Sequence, residues 1–266
     1  MGDGLRPRLY LLICLAALII EATWIVGHAP PLCSRCRKPL GDPYPQLPDL
    51  CRACVDEIRV RLPQSTYVAP YPIDTSDPVV ALDTSRGQVL VELFSRQAPL
   101  SVANFLHYVH AKSYDGVIFH RVETYICVTG RFRGGYAGAP LAIILQLPPI
   151  PTEAKNGIQN KLGTIALPRQ DADPNSATGD FFFNYQDNPF YDWRGSSLQE
   201  TGYAVFGQVV RGYEVLEGLK YLPVASLGAG CEKAPRDPVT IVRAYEVDPA
   251  TLGLVAALGS ASHGGR

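Results

Sequence analysis

Residues 77–248 predict a mainly β domain. Short β-rich runs alternate with turn residues along this stretch, a single amphipathic helical stripe interrupts them, and an apolar run near residues 239–247 is placed to close the sheet.

The order of elements follows from the local chemistry. Residues 79–84 and 88–94 are separated by Ser85-Arg86-Gly87, a hairpin signature in which glycine supplies the unusual backbone angle. Ala98-Pro99 then suits a helix start, because proline at the first helical position gives up an N–H that has no partner there. Val102, Phe105, Leu106 and Val109 recur at helical spacing and make one buried stripe. His107 and His110 ride this helix without cysteine or carboxylate partners at ligand spacing, so they read as packing or surface histidines. Tyr114-Asp115-Gly116 turns the chain into the apolar strand Val117-Ile118-Phe119-His120-Arg121-Val122. Two further β-rich segments follow, Phe181-Phe182-Phe183 and Gly202-Tyr203-Ala204-Val205-Phe206-Gly207.

The N-terminal part has a different character. Residues 9–26 (LYLLICLAALIIEATWIV) carry one charge, Glu21, and reach the lower limit for a membrane span. Residues 1–28 therefore read as an uncleaved hydrophobic anchor helix, with a cleaved signal peptide as the alternative. Pro30 and Pro31 directly after Gly27-His28-Ala29 weigh against cleavage. A short N-terminal tail ahead of the anchor suggests a membrane-anchored chain with its main domain outside the cytoplasm.

Residues 29–63 hold Cys33-Ser-Arg-Cys36 and Cys51-Arg-Ala-Cys54, two CxxC pairs with fourteen residues between them. Each pair sets two sulfurs on one side of a tetrahedral ion, and a loop of this length lets the second pair close the other. Structural zinc on Cys33, Cys36, Cys51 and Cys54 in a zinc-ribbon-like module is one reading; two disulfides are the other. Four thiolates leave no open metal position, so such a site is not catalytic. Residues 64–76, rich in Pro, Ser, Thr and Asp, read as a linker, and residues 249–266, rich in Gly, Ala and Ser, as a flexible tail. A net charge of -1 and a pI near 6.5 argue against nucleic acid as a partner.

Five blocks, in order, resemble the cyclophilin family, and its bacterial type in particular. They are Ala98-Pro99-Leu100-Ser101-Val102-Ala103-Asn104-Phe105, Phe119-His120-Arg121-Val122, Gly163-Thr164-Ile165-Ala166, Asn175-Ser176-Ala177-Thr178-Gly179-Asp180-Phe181-Phe182 and Tyr203-Ala204-Val205-Phe206-Gly207-Gln208-Val209. The resemblance covers roughly two thirds of the chain. It implies a closed eight-stranded barrel with two capping helices, binding of proline-containing polypeptides in a shallow outer groove, and peptidyl-prolyl cis-trans isomerase activity that assists protein folding without a cofactor.

By the same resemblance Arg121 takes the place of the catalytic arginine and Phe182 forms the floor of the proline pocket. Ile126 and Cys127 occupy its aromatic and methionine wall positions, Phe190 and Tyr191 its aromatic and leucine pair, and Tyr203 a histidine-or-tyrosine position. An ungapped comparison sets Thr129 where the family has a glutamine that orients the arginine. Asp180 stands in place of another glutamine, and Pro168 lies in a stretch whose backbone receives substrate. These departures support a second reading, a catalytically weakened proline-peptide binding module or scaffold.

Overall fold

A computed structural model describes residues 67–135 and 139–248, all within the unit Leu62–Arg266. The hydrophobic segment 1–28, the cysteines Cys33, Cys36, Cys51 and Cys54, and the tail 249–266 lie outside the described residues. Among the described residues no helix is long and apolar enough to cross a membrane, and no group of three or more His, Cys, Asp or Glu is placed to hold a metal ion.

The first strands are β1 (Val79–Thr84) and β2 (Gly87–Leu93), followed by helix α1 (Pro99–His110) and the short strands β3 (Val117–Ile118), β4 (Arg121–Val122), β5 (Ile126–Thr129), β6 (Phe132–Arg133) and β7 (Ala142–Ile143). Next come β8 (Thr164–Leu167), β9 (Phe181–Asn184), a 3-10 turn at Pro189–Tyr191, β10 (Ala204–Arg211) and helix α2 (Tyr213–Leu219). The hairpin β11 (Val224–Ala225) and β12 (Ala234–Pro235) precedes the final strand β13 (Thr240–Val247). The described domain is thus mainly β with two α-helices.

All strands except the hairpin β11–β12 form one sheet, in the order β4-β5-β9-β8-β10-β2-β1-β13-β3-β6-β7. Its two near-terminal strands, β3 and β4, are consecutive in the chain and separated only by Phe119 and His120, so the sheet must curl strongly. The pairing is eleven-stranded, with β6 and β7 continuing beyond β3, and in this it differs from a simple ring of eight.

One face of this curled sheet encloses the core. Phe105 of α1 packs edge-on against Phe181 at 5.1 Å between ring centres, and against Phe206 at 5.3 Å. Tyr114 joins the same cluster. Helix α1 has no side-chain cap of its own. Glu153 supplies one from a distant loop, accepting hydrogen bonds from the backbone N–H groups of Leu100 (3.0 Å) and Ser101 (2.7 Å), where a negative charge also suits the helix dipole.

Residues 67–76, the described part of the expected linker, lie as a strap across the sheet. The Tyr67 ring stacks on Tyr213 at 4.4 Å, and its hydroxyl donates to the Val209 carbonyl at 2.8 Å. The ring fits only because residue 163 is glycine, since a Cβ there would collide with it. Further along, the Tyr71 N–H donates to Gln208 Oε1 at 2.9 Å, while Glu92 accepts from the Asp74 N–H and from Gln208 Nε2. A polar, proline-containing composition does not reveal such a strap, because its anchors are single tyrosines that meet partners more than a hundred residues away.

Candidate functional site

Strand alternation decides which residues share a face. Arg121 on β4 pairs with Val128 on β5, Val128 with Phe182 on β9, and Phe182 with Ala166 on β8. Directly paired residues project to the same side of a sheet, so these four form one row on the outer face. Their sequence neighbours Cys127, Phe181, Phe183 and Ile165 belong to the interior cluster. The outer row opens into a cleft of about 510 Å³, lined by Arg121, Ile126, Val128 and Phe182 together with Tyr191, Tyr203 and the turn after β8.

The apolar part of the cleft is an aromatic box. Phe182 is buried on its floor, with the rings of Tyr203 and Tyr191 edge-on to it at 5.6 and 5.9 Å, and the two tyrosines 4.9 Å from each other. Burial raises the pKa of both tyrosine hydroxyls, so they act here as neutral groups. Arg121 is half exposed at the edge of this box. Its Nε donates to Glu123 at 3.2 Å, and Glu123 is gripped from the other side by Lys233 Nζ at 2.8 Å. This arrangement holds the guanidinium in place at the cleft that Arg121 lines.

A second polar pair lies beside it. Asp180 is buried and accepts a hydrogen bond from Arg131 Nε at 2.6 Å; burial pushes its carboxyl pKa up, and the Arg131 charge opposes that push. The segment carrying Asp180 is pinned from behind, with Asn104 Nδ2 donating to the Thr178 carbonyl at 2.7 Å and the Tyr114 hydroxyl to the Gly179 carbonyl at 2.9 Å.

Several expected site residues lie elsewhere. Cys127 is fully buried in the interior core, where burial pushes its thiol up to about 12, and it forms no part of the cleft wall. Thr129 is also fully buried, and its Oγ1 donates to the Ile118 carbonyl at 2.9 Å rather than facing Arg121. The cause is common to both. Adjacent strand residues face opposite sides, and the observed pairing puts Ile126 and Val128 outward and Cys127 and Thr129 inward. Phe190 is 71% exposed and packs under the Arg194 guanidinium at 4.7 Å, while Tyr191 alone of that pair enters the box. Arg121, Ile126, Asp180, Phe182, Tyr191 and Tyr203 are brought together at the cleft, and Pro168 also lines it.

Val128, Arg131 and His120 are among the lining residues that the sequence does not single out. Val128 was detectable from the two-residue period, counted outward from Arg121 once the turn length is known. Arg131 and His120 carry no such signal. His120 is 6% exposed, edge-on to Phe132 at 5.0 Å, and burial, reinforced by the charges of Arg131 and Arg121, lowers its pKa to about 4. An unfolded histidine binds its proton near pH 6.5, so as pH falls from about 6.5 to 4 the unfolded chain takes up a proton that the native one refuses. Stability should therefore fall over that window, by at most about 3 kcal/mol from this group. Denaturant unfolding of the wild type and His120→Phe at pH 7 and pH 4.5 checks this, with a flatter profile expected for the variant.

Comparison with known proteins agrees with this geometry. Residues 79–246 match the family described as cyclophilin type peptidyl-prolyl cis-trans isomerase/CLD. A peptidyl-prolyl cis-trans isomerase of Streptomyces antibioticus is 40% identical over 162 residues, covering 61% of this chain and 94% of the relative. Peptidyl-prolyl cis-trans isomerase B of Escherichia coli is 36% identical over 163 residues, covering 61% and 96%. Among solved structures, a cyclophilin type isomerase of Cryptosporidium parvum superposes with a TM-score of 0.50 at 21% identity, covering 64% of this chain and 98% of its own, a likeness of fold.

Proposed function

The chain belongs to the cyclophilin-type peptidyl-prolyl cis-trans isomerase family, and we propose that it isomerises Xaa-Pro bonds of protein substrates in the cleft between Arg121 and the Phe182 box, assisting their folding. The observation that carries this reading is the single row Arg121–Val128–Phe182, which sets a guanidinium two strands from a buried apolar floor on the same face of the sheet.

The chemistry asked of such a site is modest. Amide resonance puts a barrier of about 18–20 kcal/mol on rotation about the peptide bond. Twisting the bond breaks that resonance and returns electron density to the imide nitrogen. Arg121 donates hydrogen bonds there as density builds, while Phe182, Tyr191 and Tyr203 hold the ring still, so one side of the bond turns against a fixed partner. No covalent intermediate and no cofactor enters this scheme. The test is NMR exchange spectroscopy on an Ala-Pro tetrapeptide with the full-length chain. Cis–trans exchange is expected to accelerate in proportion to protein; an unchanged exchange rate at saturating protein would sink the reading.

The second reading, peptide binding with weakened catalysis, has one observation in its favour. The outward position opposite Arg121 is Val128, so strand β5 presents no side-chain amide to orient the guanidinium. Val128→Gln is accordingly expected to raise kcat/KM on the same peptide by about tenfold, below the full worth of an oriented donor because the new side chain is itself mobile. A rate at or below wild type in the folded variant would remove this explanation.

Other parts of the proposal rest on the strand order and on the sequence. The closed eight-stranded barrel is supported by the ladder from β4 round to β3, which are parts of one chain segment. A membrane anchor in residues 1–28 with the domain outside the cytoplasm is supported by the apolar run 9–26, and structural zinc by the spacing of Cys33, Cys36, Cys51 and Cys54.

A further inference from the structure

The cleft has a second wall that the row of strands does not supply. The β11–β12 hairpin is stitched to β4, with the Val122 N–H donating to the Lys233 carbonyl at 2.9 Å and Lys233 Nζ bound to both oxygens of Glu123 at 2.9 and 2.8 Å. Its underside is anchored by Cys231 and Ala234, buried with Ile118 and Phe132 in a cluster of their own. Gly230 lies so close to Phe132 that a Cβ would stand 2.8 Å from the ring. On this firm frame Gly230 and Glu232 line the cleft.

The charges of the cleft are unequally satisfied. Arg121 is held by Glu123 and Arg131 by Asp180. The Arg169 guanidinium donates to the carbonyl oxygens of Gly202 at 2.9 Å, Leu198 at 2.8 Å and Gln170 at 3.0 Å, and lies over the Tyr203 ring. Each cation thus has its partner within the protein. Glu232 has no cationic partner within ion-pair distance among the described residues, and its carboxylate accepts from the Gly230 N–H at 2.8 Å. Asp180 also lines the cleft, but it is 7% exposed and its Oδ1 is buried, without a hydrogen-bond partner among the described residues.

We propose that the β11–β12 hairpin makes this cleft selective for proline-containing segments in which a lysine or arginine flanks the proline, with Glu232 as the selecting carboxylate. The inference deepens the isomerase reading and rests on the same cleft as its peptide site. A cationic side chain entering there meets the exposed Glu232 carboxylate, while the buried carboxylate of the lining, Asp180, is already paired with Arg131. A glutamate in the same place meets a like charge. The selection is electrostatic and weakens with salt.

The experiment is an NMR titration of the full-length chain with the tetrapeptides Lys-Ala-Pro-Ala and Ala-Ala-Pro-Lys and their glutamate counterparts. At low salt the better lysine peptide is expected to bind about fivefold more tightly than its glutamate counterpart, the scale of one exposed charge pair, and the ratio should approach one at 1 M salt. Glu232→Gln should bring it near one and Glu232→Lys should invert it, whereas Asp171→Asn, a change to another carboxylate lining the cleft, should leave the preference in place. A wild-type ratio within 1.5-fold of one, or a preference that survives Glu232→Lys, or one lost in Asp171→Asn but kept in Glu232→Gln, would overturn the proposal. Exchange spectra of the same samples report isomerisation separately. Absent acceleration counts against the enzymatic reading, while the affinity ratios still decide the selectivity.

Discussion

Replacing Arg121 by alanine is expected to lower kcat/KM for Ala-Pro isomerisation by about 10²–10³, the usual worth of one donor aimed at charge that develops in the transition state. The loss should appear in kcat far more than in peptide affinity, because the ring is held by Phe182, Tyr191 and Tyr203, which the substitution does not touch. Arg121→Lys should recover only part of the rate. An ammonium keeps the charge but not the planar fork, and its stem lacks the Nε that Glu123 holds in place. NMR exchange with wild type and both variants, alongside peptide titration, separates the two quantities. Equal rates in wild type and Arg121→Ala would show that the bond turns elsewhere or not at all, and would leave the cleft as a proline-peptide binding surface.

Gly130→Ala is expected to be among the most destabilising single-methyl changes in the domain, at about 3–4 kcal/mol, a large share of the 5–15 kcal/mol that holds a typical domain folded. Two independent costs add at this position. The backbone stands at φ +103°, which L side chains rarely adopt, and a Cβ would collide with the Gly179 carbonyl oxygen while lying 2.9 Å from the Asp180 Cα. Relief requires the 179–180 backbone to move away from the end of β5, pulling Asp180 off Arg131. The substitution should therefore reach the cleft as well as the fold. Urea unfolding gives the first effect, and shifted Arg131 and Phe182 resonances in the folded fraction give the second. A stability loss under 1 kcal/mol would mean that the 130–180 contact is far looser than the structure has it.

The two variants probe parts of the protein that differ in how well the amino-acid order announces them. Arg121 sits in Phe119-His120-Arg121-Val122, a block recognisable by resemblance, and Phe182 in another. Strands at residues 79–84 and 239–247 and the helix from Pro99 follow from local period and turn chemistry, because those signals lie within one element. Gly130 carries no comparable signal. Its importance arises from the approach of residues 179–180, some fifty positions later in the chain.

Pairing across strands decides which of the expected residues reach the cleft. The resemblance places Ile126, Cys127 and Thr129 together at the cleft, but side chains of a strand alternate between its two faces, so Cys127 and Thr129 fall on the buried side. Only the ladders Arg121–Val128 and Val128–Phe182 settle which set faces outward. Phe190 and Tyr191 show the same limit in a 3-10 turn, since adjacent residues point apart and only the surrounding packing chooses which enters the box.

What the sequence determined by itself was therefore the β-rich class of the domain, the helix after Ala98-Pro99, and the identity of the arginine and the phenylalanine on which the cleft depends. These are local or motif-borne properties. The tertiary structure decided the strand register that buries Cys127 and Thr129, the strap anchored by Tyr67 and Tyr71, the Arg131–Asp180 pair, and the hairpin that brings Glu232 to the cleft. Each of these depends on a contact between residues far apart in the chain. The free energy of such a contact lies in the packing of two surfaces, and neither surface carries a mark of its partner in its own residue order.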